Sequence, residues 1–299
     1  MNIPSLCEIC QERRIDLTVL LLTLSCLPRA QAQVPLDCTY LGGTSNWSNA
    51  GAWNGGDCMR EFFPNNAVFG EFTEIFNATV DSGTVSLDIP ITIQAFNLTG
   101  GTVDGPGDLT LNDVFTWTGG TLGGTGTTTA LGGMEINGTV AKVLGADSGD
   151  TRTLINAGGT ANWSEGNIFL NAAGVRLLND GGVFNVTGTT RSIDGSVGGT
   201  GTFDNTGTLN VNLTDSGNVL LVFAPFNNSG VVDVQTGELF LGGSGTHSGD
   251  FMVAAGQRLV FNGTYTLQSG AAVSGGGEVE FAGGTTTFET GSSYSAGST

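Results

Sequence analysis

The amino-acid sequence predicts an all-β fold, a right-handed parallel β-helix (β-solenoid) of about ten coils. The first observation behind this prediction is a series of short apolar–polar alternations from about Thr84 to Thr299. Side chains on a strand alternate between faces, so each segment buries two or three residues. So few buried groups cannot offset chain entropy, and the segments must therefore stack on copies of themselves. The clearest segments are Leu109–Leu111, Phe115–Trp117, Met134–Ile136, Leu209–Leu213, Val232–Val234 and Leu259–Phe261.

The second observation is a loose internal repeat. Phe115-Thr-Trp-Thr-Gly-Gly returns as Ala161-Asn-Trp-Ser-Glu-Gly after 46 residues, and Gly198-Gly-Thr-Gly-Thr-Phe returns as Gly242-Gly-Ser-Gly-Thr-His after 44. Half of each step, about 22–23 residues, is close to one turn of a three-sided parallel β-helix. A β-propeller and a β-sandwich are the alternatives for many short strands. Segments of two to four residues are too short for either, which favours the solenoid.

Composition excludes several classes of partner. The chain has 50 Gly and 17 Phe in 299 residues, and its hydrophobic share of 39% argues against disorder despite the glycine. Its formal net charge is −18, and Lys142 is its only lysine. Nucleic acid and anionic lipid both require clustered Lys and Arg. We therefore expect neither as a partner.

Residues 1–32 are predicted to be a signal peptide. Arg13-Arg14 precede an apolar run over 17–27, and Ala30-Gln-Ala32 supplies the small residues for cleavage after Ala32. The run is shorter than the ~20 residues of a membrane span, and no direct span is expected in the mature chain. Two alternatives stay open, since 24–26 faintly resembles a lipoprotein box and the twin Arg suggests export of a folded protein. The prediction is a secreted protein, extracellular or at the cell surface.

Residues 33–80 are predicted to be an N-terminal cap, because the first coil of a solenoid has an open sheet edge and an apolar cross-section to cover. Trp47 and Trp53 supply large apolar side chains there. Cys38 and Cys58 are the only cysteines after the leader. Such a pair in an oxidising compartment more often forms a disulfide than a metal site, which requires four ligands. Two unpaired buried thiols are the alternative.

Residues 81–299 are the predicted repeats, with Gly at corners that need positive φ or close backbone approach. Stacked threonines at Thr127–Thr129 and Thr285–Thr287 are expected on outward faces. The segment 291–299 resembles neither a cap nor an apolar tail, so a partner covers the last coil or the sequence is a fragment of a longer chain. The side chains expected to point inward are Val232, Val234, Leu239, Leu241, Leu259, Phe261, Val279 and Phe281.

No catalytic, cofactor-binding or metal-binding residue is predicted, and no cofactor is expected. The only histidine, His247, lies in a Gly-Thr-His-Ser-Gly turn and is expected to be solvated, which leaves no Ser-His-Asp candidate. Asp147, Asp150 and Arg152 form the densest charged cluster. A solvated loop between coils is favoured there over a catalytic or Ca²⁺ loop.

Two further kinds of residue bear on sugar chemistry. Trp117 and Trp163 would stack on sugar rings if exposed, but aromatic rows inside the coils are favoured. Acidic residues one coil apart can act as general acid and base on a glycoside, although sequence alone brings no two together. If the protein is an enzyme, Asp147, Asp150 and Glu165 are the first residues to mutate.

Several stretches resemble secreted bacterial β-helix proteins. They are Gly43-Thr-Ser-Asn-Trp-Ser-Asn-Ala-Gly-Ala-Trp53, Phe115-Thr-Trp-Thr-Gly-Gly-Thr-Leu122 and Asn156-Ala-Gly-Gly-Thr-Ala-Asn-Trp163. They are similar to the start and the repeats of autotransporter-passenger-like and adhesin-like surface proteins of Gram-negative bacteria. The resemblance covers most of the chain after the leader, and it implies a β-helix at the cell surface.

The expected function is non-enzymatic. Repeated flat faces suit an extracellular β-solenoid that acts as an adhesin or as a structural spacer. The expected partners are glycans, host or matrix surfaces, or further repeats of a longer chain. The alternatives are a carbohydrate-active β-helix enzyme similar to a polysaccharide lyase or glycosidase, a glycan-binding module, and binding of ice or crystal surfaces by outward Thr ladders.

Overall fold

A computed structural model describes residues 33–54, 58, 63–69, 72–195 and 201–297. From Pro35 onward these residues form short strands that stack in parallel from coil to coil. The predicted all-β parallel solenoid of about ten coils is therefore confirmed. A 3-10 turn at Ala50–Ala52 is the one helical element assigned among them. None of the described helices is long and apolar enough to cross a bilayer.

The strands belong to two large sheets and one hairpin. Sheet A contains β1 (Leu36–Tyr40), β3 (Trp53–Asn54), β6 (Phe76–Val80), β9 (Phe96–Leu98), β12 (Phe115–Trp117), β15 (Met134–Ile136), β18 (Thr160–Trp163), β21 (Val183–Gly188), β24 (Thr208–Leu213), β27 (Val231–Thr236), β30 (Asp250–Val253), β32 (Ala272–Gly275) and β34 (Ser293–Ser295). Sheet B contains β2 (Thr44–Asn46), β7 (Thr84–Ser86), β8 (Ile91–Ile93), β10 (Thr102–Asp104), β11 (Leu109–Leu111), β13 (Gly120–Leu122), β14 (Thr127–Ala130), β16 (Lys142–Leu144), β17 (Thr153–Ala157), β19 (Ile168–Leu170), β20 (Arg176–Asp180), β22 (Arg191–Asp194), β23 (Thr202–Asn205), β25 (Val219–Val222), β26 (Phe226–Asn228), β28 (Glu238–Leu241), β29 (Ser244–His247), β31 (Arg258–Leu267) and β33 (Glu278–Phe288). The antiparallel hairpin contains β4 (Ala67–Phe69) and β5 (Phe72–Glu74).

A regular coil contributes one strand to sheet A and then two strands to sheet B, after which the chain returns to sheet A, as in β9, β10, β11 and β12. Partners on consecutive strands of sheet A are 18 residues apart at Ala78↔Phe96 and 27 apart at Met134↔Ala161. The predicted 22–23 residues per coil lies between these values. Individual coils differ because their corner loops differ in length, whereas the strands that pair keep a common register.

The core is a column of inward-facing apolar residues. Trp117 and Trp163 have no exposed surface, as the sequence favoured. Phe96 stacks on Phe115 with ring centroids 5.5 Å apart. The predicted inward residues that are buried are Val232, Val234, Leu239, Leu241, Leu259, Phe261 and Val279.

One prediction about side-chain direction is wrong. Phe281 points inward as predicted, since it pairs in register with buried Phe261 and stacks on its ring at 5.6 Å, but it is 38% exposed because no further coil covers its ring within the described residues. Thr128 is fully buried, while Thr127 and Thr129 on either side of it are half-buried on the outer face. Side chains alternate along a strand, so three successive threonines cannot all point outward.

The N-terminal end is closed by aromatic side chains and by a strand of opposite direction. β3 pairs antiparallel with β1, while the next coil pairs with β1 in parallel. Trp47 and Trp53 are fully buried with ring centroids 4.6 Å apart, and Trp53 lies 5.5 Å from Tyr40. The predicted disulfide between Cys38 and Cys58 is present. It ties the cap to β1.

We expect the Cys38→Ser/Cys58→Ser protein to lose about 3 kcal/mol of unfolding free energy, since the disulfide closes a loop with a sequence separation of 20 residues. Urea denaturation of the wild type and the variant under non-reducing conditions measures the difference. Peptide mapping of the non-reduced wild type is the control for pairing. Two free thiols in that map, or unchanged stability, would contradict the prediction.

One glycine shows why the corners need this residue. Gly133 has φ +89°, which favours glycine, and a Cβ there would lie 2.1 Å from the carbonyl oxygen of Thr160 on the next coil. The backbones of consecutive coils therefore approach too closely at this corner for any side chain.

Candidate functional site

A polar cleft lies where loops pass from sheet A to sheet B after β15, β18 and β21. We call it the Arg191 cleft. It has a volume of about 280 Å³. Its polar lining includes Thr139, Ser164, Glu165, Asn167, Thr189 and Arg191. Three successive corner loops thus supply hydroxyl, amide, carboxylate and guanidinium groups to one surface.

Buried Trp163 holds the central loop of this cleft in place. Its indole Nε1 donates hydrogen bonds to the carbonyl oxygens of Glu165 (3.1 Å) and Gly166 (2.9 Å). Gly166 has φ +70°, and a Cβ there would lie 2.6 Å from the carbonyl oxygen of Val140. The loop turns sharply over the indole, and this turn places the Glu165 side chain in solvent.

Two buried cations support the cleft from inside the solenoid. Lys142 has no exposed surface, and its Nζ donates to the carbonyl oxygens of Gly138 and Glu165, the latter at 3.1 Å. Arg191 is 4% exposed, and its Nε donates to the carbonyl oxygen of Thr189 at 3.1 Å. Its guanidinium carbon lies 5.4 Å from the ring centroid of Trp163, a cation–π contact. Arg191 Nη1 has no hydrogen-bond partner among the described residues.

Burial governs the titration of these cations. It lowers the pKa of Lys142 to about 8, an effect that Glu165 opposes and that the charge of Arg191 reinforces. Burial likewise lowers the pKa of Arg191, against the attraction of Glu165. Glu165 is therefore the carboxylate whose charge acts on both cations. Lys142, Glu165 and Arg191 are far apart in the sequence, but coil stacking brings them together.

A second polar cleft, also of about 280 Å³, lies at another corner and includes Arg176, Asp204, Asn227 and Thr246. Arg176 Nε forms an ion pair with Asp204 Oδ2, and Asn227 Nδ2 donates to Asp204 Oδ1 at 2.7 Å. Its charged groups satisfy one another, which distinguishes it from the Arg191 cleft.

The charged cluster at Asp147, Asp150 and Arg152 is only in part the solvated loop that the sequence favoured, because Asp147 is exposed whereas Asp150 and Arg152 are buried. Asp150 is 9% exposed, and its Oδ2 accepts hydrogen bonds from the backbone N–H groups of Ala146 (2.6 Å) and Asp147 (3.0 Å). Arg152 is fully buried, and burial lowers its pKa to about 10. Its guanidinium donates to the carbonyl oxygen of Gly105 at 2.8 Å. The side chains of Asp150 and Arg152 hold the backbone of the corner loops in place, and they do not line the Arg191 cleft.

The prediction that His247 is solvated is also wrong. The side chain is fully buried, and neither ring nitrogen has a hydrogen-bond partner in the described part of the chain. Its ring stacks on Tyr265 at 5.4 Å and lies edge-on to Phe251 at 4.9 Å. Burial lowers the pKa of His247 to about 3, so the imidazole is neutral. Among the described residues, neither a serine hydroxyl nor a carboxylate forms a hydrogen bond with it.

An asparagine ladder that was not predicted from the sequence runs inside the solenoid, along the four coils that precede the coil of His247. Asn156 Nδ2 donates to Asn179 Oδ1 (2.8 Å), Asn179 Nδ2 to Asn205 Oδ1 (2.7 Å), and Asn205 Nδ2 to Asn228 Oδ1 (2.8 Å). All four are buried, and each also donates to a backbone carbonyl at its corner. A signal was present, because each Asn stands two or three residues before a Gly, as in Asn156-Ala-Gly and Asn179-Asp-Gly. His247 occupies the same position on the next coil.

A threonine row also exists on sheet B. Thr44, Thr84, Thr102 and Thr121 are register partners on consecutive strands. The row ends at Val143, the partner of Thr121 on the next coil. It therefore covers the first coils only.

Comparison with known proteins adds no relative. No family model matches the chain, and neither a curated protein nor a solved structure matches it. Within the described residues, no three His, Cys, Asp or Glu side chains are grouped so that they could hold a metal ion. The fold alone defines the class of protein, a parallel β-solenoid. The predicted cleavage site at Ala32 lies outside the described residues.

Proposed function

We propose that the protein is a non-enzymatic, extracellular β-solenoid that acts at the cell surface as an adhesin or as a structural spacer. The observation that carries this proposal is a continuous outward row of polar side chains on sheet A. Asn162 Nδ2 donates to Glu135 Oε1 (2.7 Å), Asn185 Nδ2 to Asn162 Oδ1 (3.0 Å), and Asn210 Nδ2 to Asn185 Oδ1 (2.9 Å). The row crosses four consecutive strands and offers a flat, regularly spaced polar face.

Charge supports a neutral partner for such a face. The formal net charge is −18. Of the five described Lys and Arg side chains, Lys142, Arg152 and Arg191 are buried. Arg176 and Arg258 form ion pairs with carboxylates. An acidic polysaccharide would meet an acidic surface whose described cations are either buried or paired with carboxylates, and the resulting repulsion favours neutral glycans or matrix surfaces.

The stack of coils also suits a spacer. About ten coils at roughly 4.8 Å per strand give a rod about 50 Å long. Its core continues from coil to coil, so the rod resists bending without any second domain. Extracellular export, expected from the leader, belongs to this same proposal.

Display of the full chain on a non-adherent cell tests the proposal. We expect attachment to glycan- or matrix-coated surfaces, and we expect Asn185→Glu to reduce it at least fivefold by inserting a charge into the outward row. Asn262→Glu, at an exposed position on sheet B, is the matched control and should attach like the wild type. A spacer without adhesion would show no attachment but would move a fused reporter away from the cell surface. A wild type that neither attaches to these surfaces nor moves the reporter away from the cell would contradict the proposal.

The carbohydrate-active enzyme is the second candidate, and the group of Glu165, Lys142 and Arg191 is the observation that favours it. The protein should be screened on pectin, alginate and neutral glycans beside Glu165→Gln. Turnover that this variant loses would replace the non-enzymatic proposal. Substitution of Asp150 is a poor test of catalysis, because its carboxylate accepts hydrogen bonds from the backbone of its own loop and its loss would disturb the fold.

A further inference from the structure

We propose that the Arg191 cleft binds a single neutral sugar ring of a glycan. This inference rests on the proposed surface function and names the chemical class of its ligand. Sugar recognition requires several hydrogen-bonding groups on one small surface, and three corner loops supply them here. The volume of about 280 Å³ is just below the range of about 300–1,000 Å³ typical of drug-sized ligands, so the cleft suits one ring and not an enclosed oligosaccharide.

The Arg191 guanidinium is the donor of this site. It is 4% exposed and forms part of the cleft wall, and its Nη1 has no hydrogen-bond partner among the described residues. Buried polar groups are normally hydrogen-bonded, and a charged donor without an acceptor is costly. Nη1 itself is buried, so a ligand oxygen in the cleft contacts the guanidinium at the small part of its surface that is exposed and gives the cation an acceptor there. The cation–π contact with Trp163 fixes the guanidinium plane, so the donor is oriented before the sugar arrives.

The Glu165 carboxylate is the acceptor of this site. It lies exposed at the cleft on a loop that Trp163 and Lys142 hold through the Glu165 backbone carbonyl. A carboxylate accepts hydrogen bonds through both oxygens, which matches two neighbouring hydroxyls on a sugar ring. Ser164 and Thr139 add hydroxyl groups to the same wall.

Charge selects neutral sugars over acidic ones. Glu165 would repel the carboxylate of a uronic acid, and the formal net charge of −18 adds a repulsive field. Lys142 does not offset this effect, because it has no exposed surface and its Nζ donates to two backbone carbonyls. Arg191 offsets it little, because the residue is 4% exposed and the charge of Glu165 already acts on it. The site therefore discriminates by charge as well as by hydrogen bonding.

Saturation-transfer NMR and calorimetry on the full chain test this site. The probes are the methyl glycosides of glucose, galactose, mannose and N-acetylglucosamine, with glucuronate and galacturonate as acidic counterparts. We expect at least one neutral glycoside to bind and Glu165→Gln to weaken it at least tenfold. The variant keeps the backbone carbonyl that Trp163 and Lys142 contact, so its fold is preserved. Glu289→Gln removes the same charge from an exposed position near the last coil and should change affinity less than twofold.

Three outcomes would overturn the inference: no neutral glycoside binds, uronates bind as tightly as neutral sugars, or Glu289→Gln weakens binding as much as Glu165→Gln. The cell-attachment assay separates this inference from the proposed function. If Glu165→Gln abolishes sugar binding while displayed cells still attach, the sugar site and the adhesive row are distinct. If no sugar binds but cells attach, the site is wrong and the proposed function stands.

Discussion

Phe261→Ala is expected to lower the free energy of unfolding by about 3–5 kcal/mol, as is typical of a large-to-small change in a packed core. Phe261 has no exposed surface. Its ring centroid lies 5.5 Å from that of Phe251 and 5.4 Å from that of Tyr265, and it stacks on Phe281 at 5.6 Å. Truncation leaves a cavity between three coils that cannot collapse, because strand pairing fixes the coil spacing.

Phe281→Ala is the matched control for this prediction. Phe281 belongs to the same stacked pair but is 38% exposed, so its truncation removes less buried area and opens no enclosed cavity. We expect its loss to be less than half that of Phe261→Ala. Urea denaturation and amide hydrogen exchange of both variants measure the two values. Equal losses, or a loss at Phe261 below about 1 kcal/mol, would show that the two rings are not packed as described.

Acidification is expected to cost the wild type about 4 kcal/mol of stability through His247 between pH 7.5 and pH 3.5. Burial among aromatic rings lowers the pKa of this imidazole to about 3, against an ordinary value of 6.5. The His247 imidazole is therefore protonated below about pH 6.5 in the unfolded chain, but only below about pH 3 in the folded protein. The stabilisation is complete above pH 6.5 and is lost as the pH falls toward 3.

His247→Leu isolates this contribution from that of the carboxylates. Leu267 is the strand partner of His247 on the next coil, so leucine fits the inward row. The difference in unfolding free energy between wild type and variant, measured across this pH range, should change by about 4 kcal/mol. At pH 7.5 the variant should be at least as stable as the wild type, because two buried nitrogens without partners are removed. Parallel pH profiles for the two proteins would contradict the prediction.

The fold was predictable from local pattern, whereas the buried polar groups were not. Segments such as Leu109–Leu111 show their inward and outward faces directly, and the two cysteines after the leader indicated the disulfide. Arg152 gave no such indication, because its acceptor Gly105 lies 47 residues earlier and meets it only after the coils stack. His247 appeared solvated because its neighbours in sequence are small and polar, while Phe251, Phe261 and Tyr265 surround it in space.

The candidate site was hidden for a similar reason. Glu165, Lys142 and Arg191 lie more than 20 residues apart, so linear charge density shows no cluster. They meet because each sits near the same corner of a different coil, and the length of each corner loop decides that alignment. The asparagine ladder was the exception, because Asn156-Ala-Gly and Asn179-Asp-Gly mark a repeated corner position that hydrophobicity alone overlooks.

The placement of cations inside the solenoid bears on resistance to proteases. An enzyme of trypsin-like specificity must draw the chain at a Lys or Arg into its own active site in extended form. Lys142, Arg152 and Arg191 are buried, and Arg176 and Arg258 lie on paired strands of sheet B. Cleavage at these positions has to wait until a coil unpairs from both of its neighbours. The described part of the rod therefore gives an enzyme of trypsin-like specificity almost no accessible Lys or Arg to cleave at.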